Sequence, residues 1–497
     1  MTDALYVTTT IPYVNAAPHV GFALELVQAD AIARYHRLVG EKVRLQSGTD
    51  ENAFKNVLSA RARGVSTGEL VSENAARFRA LCSALDLSID AFVRTTEPAH
   101  RRAVDAFLGR LRVSDLFCAS YEGYYCTGCE DFYRERDLVQ GRCPEHDTEA
   151  VVVAEQNHFF RLSAYQTALD DLIAAGQLRI VPAARETEVL QFIRRGLSDI
   201  SISRSRARSG GWGIPFPGDP DQVVYVWIDA LINYLTGLGF PDPVQYTTYW
   251  SDRARKLHVI GKNVWKFHAV YWPALLLSAN LPLPDEIVVH GFLTSAGAKI
   301  SKSSGSPTDP SEYIDRVGAD GLRYFLLRYV RPFDDADFTV DRLDRVYDAD
   351  LANGLGNLCA RLTTLCQSVE LSGLPQTDLP PAPAGYHEHL RTYQFDRALA
   401  ELWRQLSAID RELSRARPWE HIRTGDLTTT RAQLSHWVER LAAVGYWLTP
   451  FLPATARRIQ EALCAPVIRK CEPLFPRLIA GSLQPNQQTA TGSGKIV

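Results

Sequence analysis

The fold is decided by residues 4–52, which read ALYVTTTIPY (4–13), VNAAPHV (14–20), GFALELVQADAIARYHRLVG (21–40) and EKVRLQSGTDEN (41–52). The first segment is a short β-rich run that ends near a proline. The third has apolar residues at helical spacing and ends in a glycine, and the fourth is a strand followed by a Gly-Thr-Asp turn. A strand, a helix and a strand within about 45 residues predict a βαβ unit and a parallel sheet.

Segments further along the chain predict that the same sheet continues. Strand patterns return in VVYVWIDA (223–230), KLHVIGK (256–262) and DEIVVHGFL (285–293), with the apolar helix WKFHAVYWPALLLSA (265–279) between them. Ligands of parallel sheets bind beyond the carboxyl ends of the strands. IPYVNAAPH (11–19) and SGTDEN (47–52) follow two of those ends, so we expect a ligand there.

Changes in residue composition and hydrophobic periodicity divide the chain into five parts. We predict an α/β, doubly wound, Rossmann-like parallel-sheet domain in two halves, 1–112 and 221–345. An inserted domain, 113–220, is rich in cysteines, aromatics and short polar turns. An all-α helical bundle, 346–482, and a polar tail, 483–497, follow.

Composition limits the classes of protein that need to be considered. A chain of 497 residues with 46% hydrophobic and 22% charged residues is typical of a globular protein of several domains. The net charge of −3 provides no overall basic field, so any RNA contact must come from local patches. We expect no secretory signal and no membrane span. Nine cysteines without a signal favour reduced thiols and a cytoplasmic protein.

The segment AGAKISKSSGSP (296–307) contains two lysines three positions apart among small residues. Glycines allow such a loop to move, and Lys299 and Lys302 can bring positive charge to a polyphosphate. In adenylyl transfer, negative charge grows on the departing pyrophosphate, so a mobile cationic loop stabilises the transition state more than the ground state. From composition alone, a solvated surface loop is the alternative.

The segment APHVGF (17–22) places His19 at the start of the predicted helix. Backbone N–H groups at a helix start favour an anion. The imidazole can donate to a phosphate, and Gly21 leaves room for a flat base. A histidine that only caps the helix is the alternative interpretation.

Four residues in the inserted part have the spacing of a zinc site. Cys126 and Cys129 form one pair, and Cys143 and His146 form another, with thirteen residues between the pairs. Such pairs can close a tetrahedron around one zinc ion, and four protein ligands leave no open position for catalysis. A disulfide or free thiols are the alternatives.

The histidine turn and the lysine loop together resemble the HIGH and KMSKS signatures of class I aminoacyl-tRNA synthetases. The resemblance narrows to the methionyl-tRNA synthetase family and covers roughly residues 5–480. It rests on TTTIPYVNAAPHVGF, RYHRLVGEKVRLQSGTDE, WGIPFPGDPDQVVYVWIDALINYL, HVIGKNVWKFHAVYWPALLLS, VVHGFLTSAGAKISKS, GADGLRYFLLRY and DLANGLGNLCARL.

The resemblance implies a catalytic site and its residues. His19, Lys299 and Lys302 are expected to be catalytic. The residues expected to bind ATP are His19, Gly21, His290, Gly291, Lys299, Ile300, Ser301 and Lys302. The residues expected to bind methionine are Ile11, Tyr13, Asp50, Trp227, Ala230, Tyr234, Phe267 and His268. The thioether of methionine packs well against the edges of aromatic rings, and the Asp50 carboxylate can accept a charge-assisted hydrogen bond from the α-ammonium.

The family also implies a zinc knuckle in the insertion and anticodon recognition in the helical domain. His146 stands where the family often has a fourth cysteine. Asn357, Arg361 and Trp419 are the expected anticodon residues, the first two being one helical turn apart and the third able to stack on a base. Without the family, a helix cap, a surface charge and a packed indole explain them.

Six positions depart from the family pattern near its expected sites, one of them, Ile300 in place of Met in the lysine signature, being a conservative change in bulk. Phe22 replaces the second histidine of the HIGH signature, and Asn52 and Asn263 stand where the family usually has His and Asp. Asp410 and Glu412 stand where Asn and Tyr are usual. We expect Phe22 to reduce ATP affinity or to pack against the ribose, and the two acids to repel RNA phosphates.

The resemblance implies a methionine–tRNA ligase that uses ATP with Mg²⁺, methionine and methionine tRNA and contains one structural zinc ion. We expect a monomer, because the sequence shows no globular module after the helical domain that could serve for dimerisation. One alternative is a synthetase-like paralogue that binds tRNA or forms an adenylate without normal charging. Another is a class I synthetase for a different bulky apolar amino acid. Amino-acid-dependent exchange and tRNA charging discriminate between them.

Overall fold

The computed structural model of the chain describes residues 4–126, 131–133, 135, 138–144, 148–295, 298–299, 309–374 and 380–478. Several predicted site residues, Cys129, His146, Ile300, Ser301 and Lys302, lie outside these ranges, as does the predicted tail 483–497. For Lys299 the structure describes the backbone but not the side chain.

The strands in chain order are β1 (Ala4–Thr9), β2 (Val43–Thr49), β3 (Ala91–Arg94), β4 (Leu116–Cys126), β5 (Asp131–Tyr133), β6 (Val151–Phe160), β7 (Arg179–Val181), β8 (Ile200–Ser201), β9 (Ser203–Ser205), β10 (Pro215–Phe216), β11 (Asp219–Val224), β12 (Ala254–Gly261), β13 (Glu286–His290), β14 (Leu293–Ser295), β15 (Ala298–Lys299) and β16 (Ala336–Asp337).

The α-helices are α1 (Val20–Leu38), α2 (Phe54–Arg63), α3 (Thr67–Ala84), α4 (Pro98–Leu108), α5 (Gln166–Ala174), α6 (Ala183–Arg194), α7 (Val226–Thr236), α8 (Pro243–Tyr249), α9 (Trp272–Ser278), α10 (Pro310–Arg328), α11 (Val340–Val346), α12 (Asn357–Ser368), α13 (Tyr386–Arg391), α14 (Phe395–Ala416), α15 (Pro418–Thr424), α16 (Leu427–Trp447) and α17 (Pro453–Leu463). Two π-helical segments, Phe267–Tyr271 and Tyr347–Gly356, precede α9 and α12.

Six of the described strands form one parallel sheet in the order β3-β2-β1-β12-β13-β7. β1 is buried along its whole length, which is the pattern of a strand covered on both faces. The chain runs outward from β1 through β2 to β3, and returns to the other side of β1 with β12 and β13. The predicted doubly wound parallel sheet is confirmed, and its topological switch point lies between β1 and β12.

The segment VVYVWIDA does not form a strand of this sheet, so that expectation is wrong. Its first two residues end β11, which pairs antiparallel with β9 and β10, and α7 begins at Val226. An apolar run of this length fits a strand or a buried helix equally well from periodicity alone. The stretch Ile228–Tyr234 is buried on all sides of the helix, which removes the amphipathic signal.

The inserted part is built on a long antiparallel pair. β4 and β6 pair from Leu116–Phe160 to Tyr125–Val151, and β5 and β8 flank them. The later strand β7, although it falls within 113–220, pairs with β13 at the edge of the parallel sheet. The chain therefore returns to the main sheet before residue 220.

The helices from α11 to α17 pack against the sheet domain through α1 and α10. Buried apolar residues of α1 and α10, among them Leu26 and Phe325, belong to the same core as Leu402 of α14 and Leu441 of α16. No helix in the described ranges has both the length and the continuous apolar character needed to cross a bilayer.

Candidate functional site

A cavity of about 480 Å³ opens at the carboxyl edge of the parallel sheet, beside the switch point between β1 and β12. Crevices at such points are the usual ligand sites of doubly wound sheets. Many of the residues that the sequence singled out line it together: Ile11, Tyr13, His19, Gly21, Trp227, Ala230, Tyr234, Phe267, His268, His290 and Gly291.

His19 is the residue immediately before α1. Its backbone is extended (φ −124°, ψ 163°), its carbonyl accepts from the Phe22 N–H at 2.9 Å, and its side chain makes no capping hydrogen bond. The imidazole is thus not the helix cap that the alternative interpretation required. A Cβ atom on Gly21 would lie 3.0 Å from the imidazole Nδ1 and Cε1, so the glycine leaves space for the His19 ring.

An aromatic stack forms one wall of the cavity. The rings of Trp227 and Phe267 are parallel within 6°, with centroids 3.8 Å apart, and Tyr13 lies 6.0 Å from Trp227. Trp227 comes from the first turn of α7 and Phe267 from the π-helical segment before α9. π-helical turns are frequent at functional sites, and this one places two consecutive predicted residues, Phe267 and His268, in the cavity.

Tyr234 and His268 form a buried polar pair at the base of this wall. His268 Nδ1 lies 2.9 Å from the Val264 carbonyl, so this nitrogen carries the proton and donates. Nε2 is then an acceptor, and the Tyr234 hydroxyl donates to it at 2.7 Å. Burial is the main cause that lowers the pKa of His268 to about 4, so the ring is neutral near pH 7. The pair offers a weakly polar, uncharged surface.

Glu25 also lines the cavity, although the sequence did not single it out. This carboxylate is buried within α1 and accepts from the Thr10 backbone N–H at 2.7 Å and hydroxyl at 2.5 Å. Its second oxygen lies 2.8 Å from His290 Nε2, and His290 Nδ1 lies 2.7 Å from the Gly291 carbonyl. The sequence signal that could have identified Glu25 is a glutamate within the apolar run GFALELV (21–27), because a buried carboxylate requires hydrogen-bond or ionic partners.

Gly291 is required by a close approach of the backbone. A Cβ atom at this position would lie 2.1 Å from the Asp334 carbonyl oxygen, which no side chain could avoid without moving backbone. The glycine therefore lets the segment after β13 pass beneath residue 334 and keeps His290 at the cavity.

Asp50 lies behind Tyr13 rather than on the cavity wall. The two residues form a parallel bridge, the Asp50 N–H donates to the Pro12 carbonyl at 2.9 Å, and Asp50 is 1% exposed. Asn52, which departs from the family pattern, donates to Asp229 Oδ2 at 2.8 Å and to the Thr95 carbonyl at 3.1 Å. Its amide therefore contacts α7 instead of the cavity.

Phe22 and Asn263 both line the cavity. The Phe22 ring is 8% exposed and packs edge-on against Phe78, with centroids 5.2 Å apart. Its main contact is thus with the protein core, while Asn263 is exposed after β12. The lysine loop begins with β15, where Lys299 pairs with Thr294 of β14.

Two of the four expected zinc ligands are described, and both are buried: Cys126 at 0% and Cys143 at 1% exposed. Thr148 links them, since its hydroxyl lies 3.5 Å from Cys126 Sγ and its carbonyl accepts from the Cys143 N–H at 2.8 Å. Among the described side chains no three metal-binding groups converge; Cys129 and His146 are not among them.

The predicted anticodon residues lie on two helices of the helical part, α12 and α15. Asn357 begins α12 and is exposed, and Trp419 in α15 is 43% exposed. Arg361, one turn after Asn357, forms an ion pair of 2.7 Å with Asp410 of α14.

Glu412, two positions further along α14, pairs with Arg440 at 2.5 Å and accepts from the Trp437 indole at 3.1 Å. The two departures from the family pattern, Asp410 and Glu412, are therefore both held in ion pairs.

Comparisons with known proteins agree with this arrangement. A family model described as tRNA synthetases class I (M) matches residues 5–151 and 146–363. A methionine–tRNA ligase of Thermosynechococcus vestitus is 39% identical over 484 residues, covering 93% of this chain and 90% of the relative. One of Brucella suis is 38% identical and covers 94% and 93%.

Among solved structures, Mycobacterium tuberculosis methionyl-tRNA synthetase bound by methionyl-adenylate superimposes with a TM-score of 0.87 at 35% identity, covering 95% of this chain and 100% of that one. Its apo form has a TM-score of 0.80 at 32% identity. Both the sequence match and the shared fold extend over nearly the whole chain, and the chain belongs to the methionyl-tRNA synthetase family of class I aminoacyl-tRNA ligases.

Proposed function

We propose that this chain activates L-methionine with ATP, forming methionyl-adenylate and pyrophosphate, and then transfers the methionyl group to methionine tRNA. The observation that carries the proposal is one cavity that combines the start of α1, at His19 and Gly21, with the Trp227–Phe267 wall. Holding both substrates in one cavity replaces a bimolecular encounter with a positioned one.

The methionine side chain enters between the aromatic stack and the Tyr234–His268 pair. The thioether packs against aromatic edges, and the neutral His268 avoids placing a charge beside it. Ile11, Tyr13 and Ala230 complete the apolar surface. Asp50, behind Tyr13, accepts the α-ammonium after a small movement of the Tyr13 segment.

ATP lies along the start of α1 and the ends of β12 and β13. His19 donates to a phosphate, and Gly21, His290 and Gly291 leave space for the nucleotide. Lys299 and Lys302, with Ile300 and Ser301 between them, stabilise the charge that grows on pyrophosphate. Mg²⁺ supplies further neutralisation of the phosphates when it is bound. No covalent enzyme intermediate is needed, because the methionine carboxylate attacks the α-phosphate directly.

One structural zinc ion is proposed to bind Cys126, Cys129, Cys143 and His146. The burial of Cys126 and Cys143 on either side of Thr148 supports this donor set, and when bound the ion supplies folding energy to the insertion. One equivalent of zinc per purified chain, measured by elemental analysis, is the expected result.

In the helical part, Asn357, Arg361 and Trp419 are proposed to contact the anticodon. Exposure of Asn357 and Trp419 supports this role. We also propose that the protein acts as a monomer in the cytoplasm.

The test is ATP–pyrophosphate exchange with methionine, leucine, isoleucine and valine, followed by charging of initiator and elongator methionine tRNA. Methionine alone should support exchange, and both tRNAs should be charged. Lys302→Ala should lower the exchange rate by about a hundredfold or more, as losing a group that stabilises transition-state charge does, with methionine affinity nearly unchanged. Exchange with another amino acid would contradict the proposed specificity.

The alternative of an adenylate-forming paralogue that does not charge tRNA has one observation in its favour, the pairing of Arg361 with Asp410. Methionine-dependent exchange at a normal rate without charging of either tRNA would establish that alternative. The same experiment therefore decides between the two.

A further inference from the structure

Three side chains on the inserted part form a hydrogen-bonded series away from the cavity. Cys118 of β4 and His158 of β6 lie directly opposite each other in the antiparallel pair. Cys118 Sγ is 3.3 Å from His158 Nδ1, and His158 Nε2 is 2.9 Å from Oδ2 of Asp219, the first residue of β11. Cys118 is exposed, so its sulfur is accessible from solvent.

The acceptor at one end determines the direction of these hydrogen bonds. An ionised Asp219 carboxylate can only accept, so His158 Nε2 carries a proton and donates it. In the neutral ring Nδ1 is then an acceptor, and the Cys118 thiol is the donor. Transfer of that proton produces a thiolate beside an imidazolium, and the imidazolium keeps its bond to the carboxylate.

The surrounding residues hold this geometry. The His158 ring stacks on Phe216, with centroids 4.1 Å apart and planes within 9°, and the backbone N–H of His158 donates to the Ser203 hydroxyl at 2.9 Å. Stacking prevents the ring from turning away from the sulfur. The ring is therefore oriented by contacts that are independent of Cys118.

Two other charged side chains on the adjoining strands have partners of their own. Glu155 of β6 lies 3.8 Å from Arg208, and Arg204 of β9 donates to the Ser201 hydroxyl at 2.9 Å. Asp221 of β11 is exposed and its N–H donates to Asp219 at 3.2 Å.

Three other described thiols have different surroundings. Burial raises the pKa of Cys82 and of Cys366 to about 12, so both remain protonated thiols. Cys464, at the end of α17, is half-buried, and its sulfur lies 3.9 Å from the Gln460 side-chain oxygen. It is an accessible thiol beside an amide, and thus a control within the same chain.

We propose that Cys118, His158 and Asp219 form a thiol-exchange site at which Cys118 attacks low-molecular-weight disulfides and is reversibly capped. The thiolate attacks one sulfur of the disulfide, the new S–S bond forms as the old one breaks, and the departing thiolate takes the proton from His158. A free thiol in excess reverses the reaction. This site is separate from the methionine-activating cavity and does not depend on the proposed activity.

The test uses bis(2-hydroxyethyl) disulfide, a small neutral disulfide, with the full chain between pH 5.5 and 8.5. Peptide mass spectrometry measures the capping rate of Cys118 and Cys464 in the same sample. At pH 6 an ordinary thiol is only about 0.3% thiolate, and a hydrogen-bonded imidazole that can take the thiol proton assists the attack at that pH. Cys118 should therefore react about tenfold faster than Cys464.

Two variants test the mechanism. His158→Gln and Asp219→Asn should each lower the rate of Cys118 at pH 6 toward that of Cys464, while the rate of Cys464 itself stays unchanged and reports intact folding. Cys118→Ser should abolish the modified peptide.

The proposal would be overturned if the wild-type rate of Cys118 rose about tenfold per pH unit in parallel with Cys464, as for an ordinary thiol. An unchanged rate in Asp219→Asn and His158→Gln would overturn it as well. The wild-type pH profile decides the matter even if one of the variants fails to fold.

Discussion

At the scale of single residues, His268 is governed by burial and by the partners of its two nitrogens. Its ring is 2% exposed, donates to Val264 and accepts from Tyr234. Glu25 shows the same principle for a carboxylate, since it is buried within α1 but bound to Thr10 and His290. In both cases the residue type was visible in the sequence, whereas the hydrogen-bond partners depend on the tertiary structure.

His268 should make stability depend on pH. The unfolded chain binds a proton on this ring near 6.5, and the folded chain only near 4. Between these values the unfolded state binds more protons, so the free energy of unfolding falls as pH decreases, by a total of the order of 3 kcal/mol. Above pH 6.5 this group has no effect.

The measurement for His268 is urea unfolding of the wild type and of His268→Gln at pH 7.5, 5.5 and 4.5. The difference between the two proteins isolates this ring from other titrating groups. Wild type should lose stability relative to the variant as pH falls. A difference that stays constant with pH would contradict the neutral assignment.

Asp410 should reduce tRNA affinity by holding Arg361. The pair is partly exposed, with 33% and 48% of the two side chains accessible, so the carboxylate competes only weakly with a phosphate. We expect Asp410→Asn to lower the KM for tRNA roughly two- to fivefold, the range of an exposed ion pair, with exchange unchanged. Glu412→Gln removes the same charge from a different ion pair and is the matched control, so it should change the KM for tRNA less. Equal changes in the two variants would show that only the overall negative charge of this surface matters, and not the pairing with Arg361.

At the scale of elements, α7 is the helix on which the methionine pocket depends. It carries Trp227, Ala230 and Tyr234 and is anchored by Asp229, which is 0% exposed. Asp229 accepts from Asn52 at 2.8 Å and lies 2.9 Å from His100 Nε2. The anchor thus connects the end of β2 to the first turn of the helix.

Asn52→Leu should weaken methionine binding without altering the cavity wall directly. Removing the donor leaves a buried Asp229 oxygen with one partner fewer, a loss of about 1–3 kcal/mol, and allows the first turn of α7 to shift. The KM for methionine in pyrophosphate exchange should rise about tenfold, with a smaller change in the KM for ATP. Equal changes in both constants would show a general loss of structure instead.

At the scale of the whole molecule, one buried arginine, ion-paired within the sheet domain, also bonds to the helical part. Arg323 of α10 and Asp30 of α1 are both 0% exposed and 2.7 Å apart. The guanidinium also donates to the carbonyls of Phe451 at 2.7 Å and Pro450 at 3.0 Å, beyond α16. Burial acts to raise the pKa of Asp30, but Arg323 and Arg34 outweigh it and lower the pKa.

Arg323→Met should destabilise the protein by about 3–5 kcal/mol, because it leaves a buried carboxylate without its main counter-charge. Denaturant unfolding followed by tryptophan fluorescence measures this. Arg331→Met removes an exposed pair, with 78% and 63% of the side chains accessible, and should change stability by less than about 1 kcal/mol. Similar losses in the two variants would contradict the role given to burial.

The sequence by itself determined most of the elements around the cavity, α7 excepted, and the residue types that line it. The helical spacing after β1 and the alternation of strands and helices are local features of the sequence, and so are the histidine turn and the lysine loop. Local patterns largely decide local structure. The run VVYVWIDA was wrongly predicted to be a strand because a helix that is buried on all sides has no periodic polar face. Asn52 could not be interpreted because its partner lies 177 positions away.

Only the tertiary structure decided which distant groups meet. Glu25 and His290 are 265 positions apart, Asp30 and Arg323 share one buried contact, and Cys118 and His158 face each other because β4 and β6 pair in one register. Sequence periodicity predicts which side of an element faces inward, but it carries no information on the partner it will face. That choice arises when the elements pack together and every buried polar group must find an acceptor or a donor.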